Sequence, residues 1–191
     1  MNNPILTIIA GVNGSGKTTF ALDYFKDSQT TFINADLIAT GFSPNNPDLS
    51  QFRAGKLMLI EIEKCIKNRK NFAIETTLAS KNYIKLINRL KQNNWRVQML
   101  YLYLPNVNLS IDRVAERVKN GGHNIRLEDI KRRYNRSIEN LINDYFLVTD
   151  SIICIGNENH SELIFNKNKD NLTVYNQSIM DEILRVKNVK R

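Results

Sequence analysis

Two hydrophobic periods alternate along the chain. Short β-branched and apolar runs at residues 5–10, 31–34, 72–77, 96–104 and 151–155 read as strands. Between them, apolar residues recur every three or four positions. Residues 52–67 place Leu59, Ile62 and Ile66 near one stripe of a long helix. Ser80 is placed to cap a helix reaching about residue 91, and Pro105 stops the fourth strand. Two helices follow, parted by Gly121 and Gly122. The first, about 109–119, turns Ile111, Val114, Ala115 and Val118 inward. The second, about 127–145, carries Ile130, Tyr134, Ile138, Leu141 and Tyr145 on one stripe, with Arg132, Arg133 and Arg136 opposite. Residues 163–166 and 172–175 suit a small hairpin or an edge addition, and 178–186 a last helix. The order β–α–β–α–β–α–β–α–α–β predicts an α/β fold: a parallel five-stranded sheet with helices on both faces. The polar, proline-containing stretch 43–47 reads as a loop and 166–171 as a turn.

Chemistry enters where the first strand ends. Gly11-Val12-Asn13-Gly14-Ser15-Gly16-Lys17-Thr18 has the spacing G-x-x-x-x-G-K-[ST] of a phosphate-binding loop, set between a strand and the helix-compatible segment 19–25. Backbone N–H groups must converge on phosphate oxygens, and a Cβ at Gly11, Gly14 or Gly16 would crowd that approach. The next helix points its positive end at the anion. Lys17 reaches the β- and γ-phosphates and the Thr18 hydroxyl serves Mg²⁺. A glycine-rich turn that only joins a strand to a helix has no need of the lysine and threonine.

The whole-chain numbers narrow the class. A length of 191 residues suits a single domain with a real core. No apolar stretch reaches the length of a membrane span, and the chain enters a strand within four residues of Met1 without a basic leader. Cys65 and Cys154 lie far apart within apolar segments and read as buried small hydrophobes, so a cytoplasmic location is expected. The net charge of +8 comes largely from Lys/Asn-rich segments such as 64–70 and 187–191. A solvated basic surface that attracts phosphorylated small molecules is the economical reading, and a nucleic-acid partner is not expected.

Ligands of parallel α/β sheets bind at the carboxyl ends of the strands, where Asp36, Glu75, Thr76 and Thr77 fall beside the phosphate loop. Phosphoryl transfer to a hydroxyl needs a carboxylate to orient the acceptor and take its proton, and Asp36 is the first candidate. Its plainer role is to cap the helical turn at 37–39. Glu75 is placed to serve the metal or the substrate, or else to be a buried carboxylate tied to backbone. Arg113, Arg117, Arg132, Arg133 and Arg136 flank the two glycines, as a lid closing over phosphates would require, at about residues 106–146. Taken singly, each also suits a solvated helix face. His123 beside the glycines reads as a surface histidine before a phosphate contact. Residues 156–191 form a C-terminal extension.

The motifs GVNGSGKTT, FINADLIA-GFSP, FAIETTLAS and RVKNGGHNI…IKRRYNRS, in this order over roughly residues 4–155, resemble those of the zeta-toxin-like P-loop kinases. The resemblance implies the P-loop nucleoside triphosphate hydrolase fold of nucleotide and shikimate kinases, with a helical lid. It implies transfer of the γ-phosphate of ATP, with Mg²⁺, to a small-molecule hydroxyl. In established members that is the 3′-hydroxyl of the amino sugar of UDP-N-acetylglucosamine, and an antitoxin holds many of them inactive. The nucleotide residues implied are Gly11, Asn13, Gly14, Ser15, Gly16, Lys17, Thr18 and Thr19, with Arg113 and Arg132. Asp36 matches the catalytic aspartate, acting with Lys17, Arg117 and Arg133, and Glu75 and Thr76 lie where the family meets its acceptor. The chain is shorter than the established toxins, and its phosphate loop begins at residue 11 without their N-terminal extension. Two alternatives stay open: a nucleotide or RNA-end kinase, for which Tyr83 and Trp95 are isolated stacking candidates, and a nucleotide-dependent ATPase switch.

Overall fold

The computed structural model describes residues 3–42, 50–122, 124–158 and 160–187. The loop read at 43–47 and His123 lie outside the described residues. Strand β1 (Ile5–Gly11) runs between β3 (Phe72–Thr76) and β4 (Arg96–Tyr103), parallel to both, with Ile8 level with Ile74 and Met99. A strand with neighbours on both edges and helices on both faces is a near-continuous apolar run: Leu6, Ile8, Ile9 and Ala10 are fully buried, and the hydroxyl of the buried Thr7 accepts from Gln98 at 2.9 Å. Strand β2 (Thr31–Ile33) pairs with β3 and β5 (Ser151–Asn157) with β4, completing the parallel part.

The sheet has seven strands, not five, in the order β2-β3-β1-β4-β5-β6-β7. The extra pair, β6 (Ser161–Asn168) and β7 (Asn171–Val174), is antiparallel and extends the β5 edge. Both readings of this segment hold, since β6 and β7 form a hairpin that is itself the edge addition. The 166–171 turn is tighter than expected, because Asn166 to Asn168 belong to β6 and only Lys169 and Asp170 turn, Lys169 with φ +53°.

One face of the sheet carries the main core. Ile8, Tyr101 and Ile152 meet α3 (Gln51–Lys67), α4 (Asn82–Gln92), α6 (Leu127–Asn140) and α8 (Gln177–Lys187) through Met58, Ile87, Ile138 and Ile183. On the other face, Ile9 and Leu100 meet Ala21 of α1 (Lys17–Tyr24), flanked by Phe20, Phe25 and Phe32. Both cysteines are buried and free. Among the described residues no helix is long and apolar enough to cross a membrane.

Three local expectations change. Residues after β2 form a full helix, α2 (Ala35–Phe42), rather than a single turn. Ser80 does not cap α4: the N-cap position is Lys81, and the Ser80 carbonyl instead accepts a hydrogen bond from the Tyr145 hydroxyl. In α5 (Val107–Lys119) the buried residues are Ser110 and Val114, while Ala115 is exposed. The helix begun by α6 is not uniform. It passes through a π-helical turn, Leu141–Tyr145, and ends in a short α7 (Phe146–Val148).

Candidate active site

The phosphate loop crosses from β1 to α1 under steric control. Gly11 has φ +144°, and a Cβ there would lie 2.3 Å from the Leu102 carbonyl oxygen and 2.7 Å from Ser15 Oγ. Gly16 has φ +84° at the N-cap of α1, and a Cβ would meet Asn157 Nδ2 at 2.8 Å. The loop is also anchored from outside. Ser110 Oγ donates to the Asn13 carbonyl at 2.5 Å, and Asn157 Nδ2 donates to the Ser15 carbonyl at 2.9 Å. Two buried oxygens of the loop, Asn13 Oδ1 and Ser15 Oγ, have no hydrogen-bond partner. Unsatisfied buried polar atoms are costly; of the two, the Ser15 hydroxyl can donate to an anion in the loop, whereas Asn13 Oδ1 only accepts.

Lys17 is 7 % exposed and its Nζ donates to the Val12 carbonyl at 2.8 Å. Burial lowers its pKa from 10.5 to about 8; Glu75 and Asp36 oppose the shift and Arg117 adds to it. The folded value lies below the unfolded one. The unfolded chain therefore binds more protons between those two pH values, and stability rises with pH across that window. Below about pH 8 the free fold carries the cost of a buried cation. A polyphosphate beside Nζ restores the proton. Nucleotide binding at pH 8 is therefore expected to take up about half a proton, and close to none at about pH 6.5. Calorimetry in buffers of different ionisation enthalpy measures this, and buffer-independent heats at pH 8 would contradict it.

Across the cavity, the ends of β2 and β3 are locked together. Asn34 Oδ1 accepts from the amides of Asp36 (2.7 Å) and Leu37 (3.2 Å), so Asn34 is the cap of α2. The capping role weighed for Asp36 belongs to its neighbour, and the Asp36 side chain lines the cavity. Asn34 Nδ2 donates to Glu75 Oε2 at 2.5 Å, and Thr18 Oγ1 donates to the same oxygen at 2.8 Å. Glu75 is thus bound by side chains, including the threonine that follows Lys17, rather than by backbone. Sequence reasoning missed Asn34. An asparagine at a strand end two residues before an acidic first-turn position is itself an N-cap signal.

The arginines separate. Arg117 and Arg133 line a cavity of about 240 Å³ with Asn13, Lys17, Asp36 and Thr77. The Gly122 amide donates to the Arg117 carbonyl at 2.9 Å, and a Cβ at Gly122 would lie 2.5 Å from Arg117 Cγ. Arg113 lies beside the phosphate loop and is not among the residues lining the cavity: its guanidinium donates to the Asn157 carbonyl at 2.7 Å, to the Glu158 carbonyl, and to the Gly14 carbonyl at 3.5 Å. It sits at the end of β5, clamped to the loop rather than among the cavity residues. Arg132 pairs with Asp129 at 2.5 Å on the exposed side of α6, and Arg136 is exposed. Thr19 is exposed on α1, and Thr76 Oγ1 accepts from the Leu78 amide at 3.1 Å while Thr76 borders the cavity. Trp95 is 4 % exposed, packed edge-on against Phe72, so it offers no face to a base.

The assembled site holds a cation (Lys17) and two arginines around an anion cradle, with a carboxylate (Asp36) facing them. Thr18 and Glu75 supply hard oxygen donors of the kind Mg²⁺ takes. Among the described residues no cluster of three or more His, Cys, Asp or Glu could hold a metal alone. That donor set suits a cation shared with a bound polyphosphate.

Comparison with known proteins agrees with this architecture. An uncharacterised protein of Haemophilus influenzae is 33% identical over 124 residues, 65% of this chain and 88% of that protein. The crystal structure of AvrRxo1-ORF1:AvrRxo1-ORF2 with ATP superposes with a TM-score of 0.73 at 14% identity. The match covers 100% of this chain and 66% of that one, so the chain spans just under two thirds of its length. The PezAT chromosomal toxin–antitoxin system of Streptococcus pneumoniae gives a TM-score of 0.70 at 18% identity, covering 98% and 85%. A gluconokinase of Sinorhizobium meliloti gives 0.52 at 12%, covering 98% and 93%. The Zeta toxin family profile matches residues 1–178. The chain belongs to the zeta toxin family and is built as a P-loop kinase.

Proposed function

We propose that this protein transfers the γ-phosphate of ATP to a hydroxyl of a small molecule, with UDP-N-acetylglucosamine the first acceptor to test. The observation that carries the reading is the convergence of Lys17, Arg117, Arg133 and Asp36 on one cavity at the carboxyl edge of the sheet. The phosphate loop binds the triphosphate, and Lys17 follows the charge that develops on the β- and γ-oxygens. Arg117 and Arg133 stabilise the transferred group from the opposite wall. Asp36 orients the acceptor hydroxyl and takes its proton as the oxygen–phosphorus bond forms and ADP departs. Mg²⁺ bound with the nucleotide would neutralise phosphate charge, held by the Thr18 hydroxyl and the Glu75 carboxylate. Asn34 keeps Glu75 in place for that task. Arg132, paired with Asp129, serves structure, and Arg113 steadies the phosphate loop from the end of β5.

The segment from α5 through Gly121 and Gly122 to α6 acts as the lid, because it carries both cavity arginines. Arginines supplied in cis remove the need for a neighbour's arginine and so disfavour an ATPase switch. Two relatives in fold were solved as AvrRxo1-ORF1:AvrRxo1-ORF2 and as a PezAT toxin–antitoxin system, and an antitoxin partner is proposed here on that likeness. The test is transfer of label from γ-labelled ATP to a panel of acceptors. Labelled UDP-N-acetylglucosamine is the expected product. Label on RNA ends with none on nucleotide sugars would replace this reading by the RNA-end kinase.

A further inference from the structure

We infer that Asn140 and Tyr145 are positioning residues that set the acceptor wall of the cavity through the π-helical turn between them. The inference rests on the kinase reading above for the word acceptor, and on geometry for the rest. After Glu75 the chain makes a tight turn in which Leu78, fully buried, takes φ +59°. A left-handed leucine is costly and persists only where its surroundings hold it. Three side chains of one helix hold this turn from behind. Asn140, 8 % exposed, donates Nδ2 to the Leu78 carbonyl at 2.8 Å. The Tyr145 hydroxyl donates to the Ser80 carbonyl at 2.9 Å. Asp144 pairs with Lys81 at 2.8 Å. From within the turn, Thr76 Oγ1 accepts from the Leu78 amide.

The π turn explains how residues five apart reach one target. In an α-helix they point about 140° apart. An i→i+5 turn stacks the fifth residue over the first, and Leu141–Tyr145 is such a turn. Seven residues before Asn140, two helical turns away on the same side, Arg133 lines the cavity. One helix thus carries a phosphate-side arginine and, further on, the brace behind Thr76 and Thr77, which line the same cavity. A shift of α6 moves both walls together.

Tyr145→Phe removes one hydroxyl and keeps the ring in the core. Asn140→Ala leaves the Leu78 carbonyl without its donor. Each variant is expected to raise KM for UDP-N-acetylglucosamine about five- to tenfold, with kcat and KM for ATP within about twofold. Amide exchange, measured on the full chain without substrates, is expected to quicken by a similar factor over residues 76–81 and to stay unchanged over 11–18. A purely structural loss would raise both Michaelis constants or quicken exchange throughout, and would overturn the inference. So would exchange over 76–81 equal to that of the unaltered protein. If the unaltered protein moves no phosphate to UDP-N-acetylglucosamine, the acceptor reading fails. The exchange measurement still decides whether the brace sets the turn.

Discussion

Lys17→Met yields a protein that melts at a higher temperature and transfers almost no phosphate. Both effects come from one buried ammonium. Its pKa, lowered to about 8 by burial, shows that the fold holds the charged form at a cost near neutral pH. Methionine fills the same channel without a charge to desolvate. The Val12 carbonyl, which accepts from Nζ, also accepts from the Ser15 amide at 3.3 Å and is not orphaned by the change. Glu75 loses a favourable neighbour but keeps its donors Thr18 and Asn34. The net gain is about 1–3 kcal/mol, the scale set by a pKa lowered to about 8 at roughly 1.4 kcal/mol per unit. At roughly 2–4 °C per kcal/mol, calorimetry resolves it. Transfer falls by about a thousandfold, because a preorganised charge at the developing phosphate negative charge is gone. A variant that melts at or below the parent temperature would refute the burial argument. Undiminished transfer would remove Lys17 from the mechanism.

Asp36→Asn separates chemistry from binding. Its carboxylate plays no part in capping α2, because Asn34 makes both cap hydrogen bonds. An amide of the same shape therefore leaves the helix, the cavity and the phosphate loop intact. It cannot accept the acceptor proton, so kcat falls by about a hundred- to ten-thousandfold. Affinity for ATP and the melting temperature hold steady. Rapid-quench assays with saturating acceptor measure the first, and nucleotide titration the second. Parental kcat in Asp36→Asn would take the base role from this residue.

The phosphate loop was legible because its chemistry is local. The glycines and the lysine act through backbone shape and contacts within the loop, and the long-range anchors from Glu75, Ser110 and Asn157 add to a pattern already readable. The carboxylates at strand ends were legible too, because parallel strands bring their carboxyl ends to one edge. The arginines were not. Arg113 and Arg117 share a face of α5, yet the first turns to the end of β5 and only the second lines the cavity. Arg132 and Arg133 are adjacent, and which one enters depends on how α6 lies on the sheet. That rotation is set by contacts such as the Tyr101–Ser137 hydrogen bond at 2.8 Å, between residues 36 apart. The edge strands were half hidden because their outer positions are polar, as exposed strands require. The π turn has no periodic signature, so the apolar stripe over 127–145 reads as one continuous helix.

Asn157 ties the last parallel strand to the loop after the first, 142 residues earlier in the chain. That distance sets an order of assembly. During synthesis the first strand and its glycines emerge first, and the partner that fixes the Ser15 carbonyl emerges only 142 residues after it. A ribosome-bound fragment ending before β5 has the nucleotide motif in its sequence without the clamp that shapes it. The parallel sheet, whose neighbours are distant in sequence, makes that closure late in folding as well. The clamped form of the phosphate loop thus depends on β5. The two ends of this clamp must both be made before the phosphate loop takes the shape described here.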